Sequence, residues 1–369
     1  MILLSTKNLI LIALLVLYAI FTVYVIYYGP YPASVPLGDP SAYKNTYIHV
    51  PIAISSYVLF TAGMIYSLLY LRGKNNRYAE KSYIYISLGL VFATLTLIQG
   101  SLWAKESWGT YWNWDPRETG VLLLWFAYLV YLAIRRSISD KEKMLRVSSA
   151  YAVAAYIMVP FSFALPYFTS SLHPRVQETS QMIGGESAIL LPGGILLGIV
   201  LGIALAEYLI DLRFNKSRYT RTIAYTGIVL YIALLLALAP SAIPHFSEVI
   251  NTCALDEGSY ITIKGTVIES KLIDSSINMI VRTEKCVFRV IAQPEKIPLS
   301  PLVIIMPGSN LTLITIESHN IVVKGTVNST YIVASEIEIL ENKSVLINSF
   351  LYSLTIIGLM VYALRRMGE

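Results

Sequence analysis

Long uncharged apolar stretches divide the sequence into segments that are long enough to cross a membrane. A helix needs about 20 apolar residues to span the hydrocarbon core. Eight stretches approach or exceed that length, the shortest being 119–134; the others are 9–28, 50–71, 82–104, 147–172, 187–206, 222–244 and 344–364. The pattern predicts a polytopic α-helical membrane protein with about eight transmembrane helices. The first is expected to be retained, because it is long, weakly basic at its start and without a small-residue cleavage site.

Residues 245–343 show a different pattern, in which short apolar runs alternate with polar residues as in half-buried strands. Two of these runs, 261–267 and 321–327, resemble each other and contain Gly265 and Gly325 at the same place. Glycine suits the sharp bends of strands in a small barrel. The pattern therefore predicts a small all-β domain, an OB-like barrel of five strands, with an immunoglobulin-like sandwich as the alternative.

The composition agrees with a chain that lies largely in a membrane. Hydrophobic residues make up 55% of it and charged residues 14%, against about 25% charged residues in a typical soluble domain. The predicted organisation is a seven-helix membrane domain at 1–244, a β domain at 245–343, and a C-terminal transmembrane helix with a short tail at 344–369.

Positive charge is concentrated in alternate loops of the membrane part. Because Lys and Arg resist transfer across the membrane, the loops that carry them are expected in the cytoplasm. Sixteen lie on that side and four on the other: Lys7, Arg72, Lys74, Arg77, Lys81, Arg135, Arg136, Lys141, Lys143, Arg146, Arg213, Lys216, Arg218, Arg221, Arg365 and Arg366, against Lys44, Lys105, Arg117 and Arg175.

This distribution predicts a multi-pass protein of the cell membrane with both termini in the cytoplasm. The segments 29–49, 105–118 and 173–186 are then expected outside the cell membrane, together with the β domain. Because the β domain has more acidic than basic residues, nucleic acid is not an expected partner.

The chain has only two cysteines, Cys253 and Cys286, and no CxxC or CxxCH motif. This argues against a zinc ribbon, an iron–sulfur cluster and covalently attached haem. Both cysteines belong to the predicted outer domain, where a disulfide persists. They are either bridged or two separate thiols.

All five tryptophans of the chain lie between Trp103 and Trp125. An aromatic belt would place Trp at helix ends on both membrane surfaces, so this concentration favours a binding surface for a flat apolar ligand. Trp108, Tyr111 and Trp112 have the spacing of residues that share one face of a short helix.

Trp114 follows these residues, and the Asp115-Pro dipeptide marks a break before the next helix. Lys105 and Arg117 flank the segment, where cations at a wet rim would pair with carboxylates of the ligand.

Two histidines are expected at the same depth as the Trp-rich segment. His49 lies at the outer mouth of the second predicted helix, and His173 lies just beyond the outer end of the fifth. Since imidazole is a common ligand of haem iron, the pair favours a bis-histidine haem at the outer surface. The alternative is a pair of hydrogen-bonded interfacial residues. Of the others, His319 is expected at the surface, and His245 is a spare ligand or entry-site residue.

These residues resemble the haem-handling WWD membrane proteins of c-type cytochrome biogenesis, the CcmC and CcsA group. The resemblance covers about residues 40–210, and its motif is Trp108-Gly-x-Tyr-Trp-x-Trp-Asp-Pro-Arg-Glu-Thr119. The segments 47–51 and 171–173 are similar to the two flanking histidine motifs. The resemblance implies non-covalent haem b, with His49 and His173 as axial ligands of the iron and Trp108, Trp112, Trp114 and Asp115 forming the platform.

The resemblance also implies a function in haem delivery, as a haem chaperone or transporter. The expected acceptor is a CcmE-like haem carrier or an apocytochrome c, and other cytochrome c maturation membrane proteins are expected partners. The residues 114–119 are similar to the CcsA synthetases, so part in a holocytochrome c synthase (haem lyase) system stays an alternative. Those proteins also use histidines within membrane helices, and none of the predicted spans here contains one.

Strands near the end of the β domain, at 325–340, are similar to the last strands of the CcmE carrier. The segment that follows, 341–344, has neither the His nor the Cys that would attach haem, so covalent carriage is not expected. Two functions of other classes stay open: a b-type electron-transfer subunit, and a receptor whose β domain binds an external ligand.

Overall fold

The structure is a computed structural model that describes residues 6–29, 40–173, 187–215, 219–242, 253, 256–273, 276–283, 285–293, 320–339 and 343–368. Within these residues it contains nine α-helices and five strands. The helices are α1 (Thr6–Tyr28), α2 (Thr46–Gly73), α3 (Asn76–Trp108), α4 (Pro116–Ser137), α5 (Lys141–Ala155), α6 (Met158–Phe168), α7 (Ser187–Asn215), α8 (Tyr219–Ala242) and α9 (Lys343–Gly368). The strands are β1 (Tyr260–Ile273), β2 (Ser276–Arg282), β3 (Val287–Ala292), β4 (Asn320–Asn328) and β5 (Tyr331–Ile339).

The prediction of a polytopic helical protein with a small β domain is confirmed. Among the described residues, seven helical segments are long and apolar enough to cross a membrane, and a shorter apolar stretch, Ile223–Leu236, lies within α8. The chain is a multi-pass membrane protein.

Two helix boundaries differ from those that the apolar runs predict. The apolar run begins at Val50, but α2 begins at Thr46 after a 3-10 turn, Pro40–Asn45, so His49 lies on the first turn of a helix. The fifth predicted span is interrupted between α5 and α6. Pro160 has no backbone N–H to donate to the Tyr156 carbonyl, which breaks the regular helical bonding there.

The main apolar core joins helices from both ends of the sequence. Its buried side chains come from α1, α2, α3, α7, α8 and α9. The ring of Tyr352 on α9 packs against Tyr18 on α1 at 4.9 Å between centroids and against Tyr231 on α8 at 6.2 Å. The C-terminal helix is therefore part of the helix bundle and not a separate anchor.

The five strands form a closed barrel in the order β1-β2-β3-β5-β4, which confirms the five-stranded barrel over the sandwich. Its assignment to the OB type stays a prediction. The two similar strands are antiparallel neighbours, with Ile261 opposite Gly325 and Gly265 opposite Ile321. The barrel is filled by alternate apolar side chains of its strands. A disulfide joins Cys253 to Cys286, one residue before β3.

Gly265 provides a test of the barrel's packing. A Cβ atom there would lie 2.5 Å from the carbonyl oxygen of Arg282 and 2.8 Å from Val281 Cγ1. Because overpacking of this kind costs about 2 kcal/mol, Gly265→Ala should lower the free energy of unfolding of the barrel by about that amount, measured by thermal or urea unfolding. The exposed neighbour Lys264 supplies the control, and equal stability of Gly265→Ala and Lys264→Ala would contradict the packing described.

Candidate functional site

The predicted site residues gather at one end of the helix bundle. The beginning of α2, the end of α3, the beginning of α4 and the segment that follows α6 meet there. His49 lies on the first of these elements, Asp115 immediately before the third, and His173 on the last. Among the described residues, no group of three or more His, Cys, Asp and Glu side chains could hold a metal ion.

Asp115 connects the start of α4 to the chain beyond α6. Its Oδ1 accepts the backbone N–H of Arg117 at 2.9 Å, which caps the helix. Its Oδ2 accepts the Ser171 hydroxyl at 2.7 Å and the Leu172 N–H at 2.6 Å. His173 Nδ1 lies 2.7 Å from Oδ1, and a carboxylate only accepts, so this nitrogen carries the proton. One buried carboxylate thus fixes the position of three consecutive residues.

The environment of Asp115 keeps it ionised. Burial by itself raises the pKa of this carboxyl group, because it disfavours the charged form. The hydrogen bonds from His173, Ser171 and Leu172 act in the opposite direction and prevail. The net result is a pKa well below the usual value for aspartate.

The His173 ring is also held by a tryptophan. Its centroid lies 4.8 Å from that of Trp108, with the two rings at 73°. The side chain keeps about a quarter of its surface exposed. With Nδ1 directed to Asp115, Nε2 is the nitrogen left for another partner.

His49 lies against α3 in a pocket that depends on a glycine. A Cβ atom on Gly100 would be 3.0 Å from His49 Cε1. The ring of Trp103 packs edge-on against His49 at 5.7 Å and against Tyr43 at 5.6 Å. Both His49 Nδ1 and Trp103 Nε1 are buried without a hydrogen-bond partner. His173 lies near enough to act electrostatically on His49.

The expected short helix through the Trp-rich segment is wrong. Helix α3 ends at Trp108, because Gly109 adopts a left-handed conformation with φ +84°, and the following residues are not helical. The Trp108 ring therefore does not share a face with Tyr111 and Trp112. Trp112 instead packs edge-on against Trp114 at 6.0 Å. Tyr111 is 57% exposed and Trp114 is 72% exposed, so both present aromatic surface to the outside of the fold.

Hydrogen bonds fix the conformation of this non-helical segment. Ser101 donates to the Tyr111 carbonyl at 2.8 Å, and Thr110 donates to Asn113 Oδ1 at 2.6 Å. The Glu118 carboxylate accepts the Asn113 N–H at 3.0 Å. The exposed aromatic rings are therefore carried by an ordered loop.

Lys105 and Arg117, which were expected at a wet rim, have different environments. Lys105 donates to the Gly109 carbonyl at 2.8 Å at the end of α3. The Arg117 guanidinium lies 5.4 Å over the ring of Phe163, and its Nε and Nη2 are buried without hydrogen-bond partners. The free donors of Arg117 are therefore buried inside the site and not at its wet rim, where they were expected, and they are available to an anionic group there.

A buried polar cluster beside His49 was not predicted from the sequence. Asn45 donates to Ser344 Oγ at 2.7 Å, and Asn348 donates to Asn45 Oδ1 at 2.7 Å. Gln99, next to Gly100, donates to the Asn348 carbonyl at 3.1 Å. The first turns of α9 are thus joined to the elements that carry His49. Gln99 and Asn348, polar residues inside apolar runs, were the available signal. Sequence spacing does not show that residues 299 positions apart, such as Asn45 and Ser344, meet.

His245, His319 and Arg175 lie outside the described residues.

Comparison with known proteins gives a consistent result over the first part of the chain. A family model described as "Cytochrome C assembly protein" matches residues 2–174. "Cytochrome c biogenesis protein CcsA" of Chlamydomonas reinhardtii is 37% identical over 101 residues, which is 24% of this chain and 29% of that protein. A "Putative cytochrome c biosynthesis ccmC-like mitochondrial protein" of Marchantia polymorpha is 35% identical over 118 residues, 32% of this chain and 49% of that protein.

"Heme exporter protein C" of Rhodobacter capsulatus is 28% identical over 131 residues, 35% of this chain and 54% of that protein. The chain therefore spans about half or less of the length of these relatives. The barrel and α9 lie beyond the matched residues, whereas His49, the Trp-rich segment and His173 lie within them. Residues 2–174 of this chain, the part of the membrane bundle that carries His49, the Trp-rich segment and His173, are therefore similar to the cytochrome c assembly proteins.

Proposed function

We propose that this protein holds haem b non-covalently at the outer surface of the cell membrane, between His49 and His173, and delivers it to a haem carrier or an apocytochrome c. This step would be part of c-type cytochrome maturation. The relatives named "Heme exporter protein C" and "Cytochrome c biogenesis protein CcsA" support this proposal. The observation that carries the proposal is the 2.7 Å contact between His173 Nδ1 and the buried carboxylate of Asp115.

This contact is the arrangement that metal-ligating histidines usually have. The ring nitrogen away from the metal donates to a carboxylate, which fixes the tautomer and the direction of the other nitrogen. Asp115 does this for His173, and Trp108 limits rotation of the ring from the side. Nε2 of His173 then has a lone pair available for iron.

His49 would be the second histidine that holds the haem. It lies at the same end of the bundle, and the absence of a side chain at Gly100 leaves room for its ring. Its Nδ1 is buried without a partner, and such groups are costly unless a ligand or water satisfies them. When bound, haem would supply an iron that accepts two imidazoles and propionates that accept hydrogen bonds.

The surrounding residues fit the rest of a flat amphipathic ligand. Tyr111 and Trp114 expose aromatic surface on an ordered loop, which suits a porphyrin plane. Arg117 keeps two buried donors without partners, and a carboxylate would satisfy them.

The position of His173 suits a histidine that has to release the haem iron when haem is passed to a partner. His173 lies beyond the last residue of α6, and its described hydrogen bonds run to Asp115 and Ser171. A partner that replaces this imidazole would therefore not have to unfold a helix. His49 is carried by a helix and is the ligand expected to stay longer.

The direct test combines His49→Ala with His173→Ala in the full chain, purified with haem. We expect the variant to lose the low-spin bis-histidine absorption spectrum and its bound haem, because both imidazole ligands are removed. His319→Ala is the control and should keep both. An unchanged spectrum and haem content in the double variant would refute the proposed ligands.

Asp115→Asn tests the role of the carboxylate separately from its role as helix cap. Asparagine is as good a helix cap as aspartate. Its side chain can donate as well as accept a hydrogen bond, so it no longer holds the proton of His173 on Nδ1. Loss of such a supporting partner typically costs about 10- to 100-fold in metal affinity, and we expect a loss of that size in a haem titration. Asp140 caps α5 through the Lys143 N–H, so Asp140→Asn is the matched control. Equal haem affinities of the two variants would contradict this role.

A second candidate is a self-sufficient cytochrome c synthase of CcsA type. It is favoured by the similarity to "Cytochrome c biogenesis protein CcsA" of Chlamydomonas reinhardtii. Co-expression of this chain with an apocytochrome c in a host without other maturation proteins separates the two functions. We expect no covalent haem on the apocytochrome, because delivery to a carrier needs further components, whereas haem-stained cytochrome would establish the synthase.

A further inference from the structure

A cavity of about 470 Å³ lies at the end of the bundle opposite the candidate haem site. It is formed mainly by α3, α4, α7 and α9, and Arg135 and Arg136 near the end of α4 line it. Because α4 begins beside Asp115, the length of that helix separates the cavity from His173. Nothing in the proposed haem function uses it.

Three arginines line this cavity. Glu80 Oε1 pairs with Arg135 at 3.1 Å and Glu80 Oε2 with Arg213 at 3.2 Å, and Arg136 also lines the cavity. One carboxylate therefore faces three guanidinium groups, which leaves an excess of positive charge. This excess favours an anionic ligand.

Two buried polar atoms of the lining residues have no hydrogen-bond partner. The side chain of Arg135 is only 8% exposed, yet its Nη1 makes no hydrogen bond. The Ser87 hydroxyl is likewise buried without a partner. A buried guanidinium donor left unpaired is costly, so both atoms point to a ligand with acceptor oxygens.

The rest of the cavity is apolar and follows α3 towards the middle of the membrane. Ile84, Leu88 and Val91 line it on α3, opposite leucines of α4, α7 and α9. Glu80 and Val91 are both lining residues, and their separation along the helix is about 16 Å at 1.5 Å per residue. This is about half of the 30 Å hydrocarbon core, which is the depth that one acyl chain reaches.

We propose that this cavity binds an anionic phospholipid. The phosphate group contacts Arg135, Arg136 and Arg213, and one acyl chain lies along Leu88 and Val91. Haem also combines an apolar body with anionic groups, but the lining residues include neither histidine nor cysteine, the usual strong ligands for iron. The observations therefore favour the lipid.

The test uses the full chain, purified and stripped of lipid in detergent, and titrated with phosphatidylglycerol or phosphatidylcholine. Native mass spectrometry and the shift of the thermal midpoint report binding. We expect phosphatidylglycerol to bind more tightly than phosphatidylcholine. The double substitution of Arg136→Gln with Arg213→Gln should weaken phosphatidylglycerol binding by at least about tenfold. The exposed Arg146 lies on α5 at the same end and outside the cavity lining, so Arg146→Gln should bind like the unchanged chain.

The variant Val91→Trp distinguishes binding of a lipid from binding of a free anion. The tryptophan fills the apolar part of the cavity without changing its charge. It should therefore weaken the binding of phosphatidylglycerol and leave the binding of glycerol 3-phosphate unchanged. Equal phosphatidylglycerol affinity in the double arginine variant and in Arg146→Gln would overturn the proposal. Haem binding that persists in His49→Ala with His173→Ala and is lost when Arg136→Gln and Arg213→Gln are added would also overturn it, because the cavity would then be a haem site.

Discussion

The bonds of one carboxylate determine the geometry of the candidate site. Asp115 is 4% exposed, caps α4 through the Arg117 N–H, and accepts hydrogen bonds from Ser171, Leu172 and His173. Without it, the segment after α6 would lose the hydrogen bonds that join it to the start of α4. An ionised carboxylate at this depth is stable because these donors compensate its burial. The acid therefore holds the histidine, and the hydrogen bond that the histidine donates in turn stabilises the ionised acid.

Periodicity and composition predict most of the fold. Runs of apolar residues of membrane length correspond to helices, and alternation after residue 245 corresponds to a closed barrel, because both patterns reflect which side chains avoid water. The break before α4 was also predictable, since the Asp115-Pro dipeptide combines a helix cap with a residue suited to the first helical turn.

What the sequence could not supply depends on single backbone conformations and on distant contacts. The spacing of Trp108, Tyr111 and Trp112 indicates a shared face only if the helix continues, and the left-handed Gly109 ends it. The contacts of Asn45 and Gln99 with Asn348 join residues about 250 to 300 positions apart, which no local pattern records. These contacts tie α9, which lies outside the residues matched by the family, to the part of the core beside His49. The chain enters α9 from the barrel, so the end of the β domain is linked to the bundle near the candidate site.

A cryo-electron microscopy structure of the full chain loaded with haem would test the proposed ligands most directly. We expect iron bound by the imidazoles of His49 and His173, with His173 Nδ1 still in contact with the Asp115 carboxylate and the porphyrin against the Trp-rich loop. Haem at another position, or iron bound at this end of the bundle with His173 turned away from Asp115, would contradict this expectation.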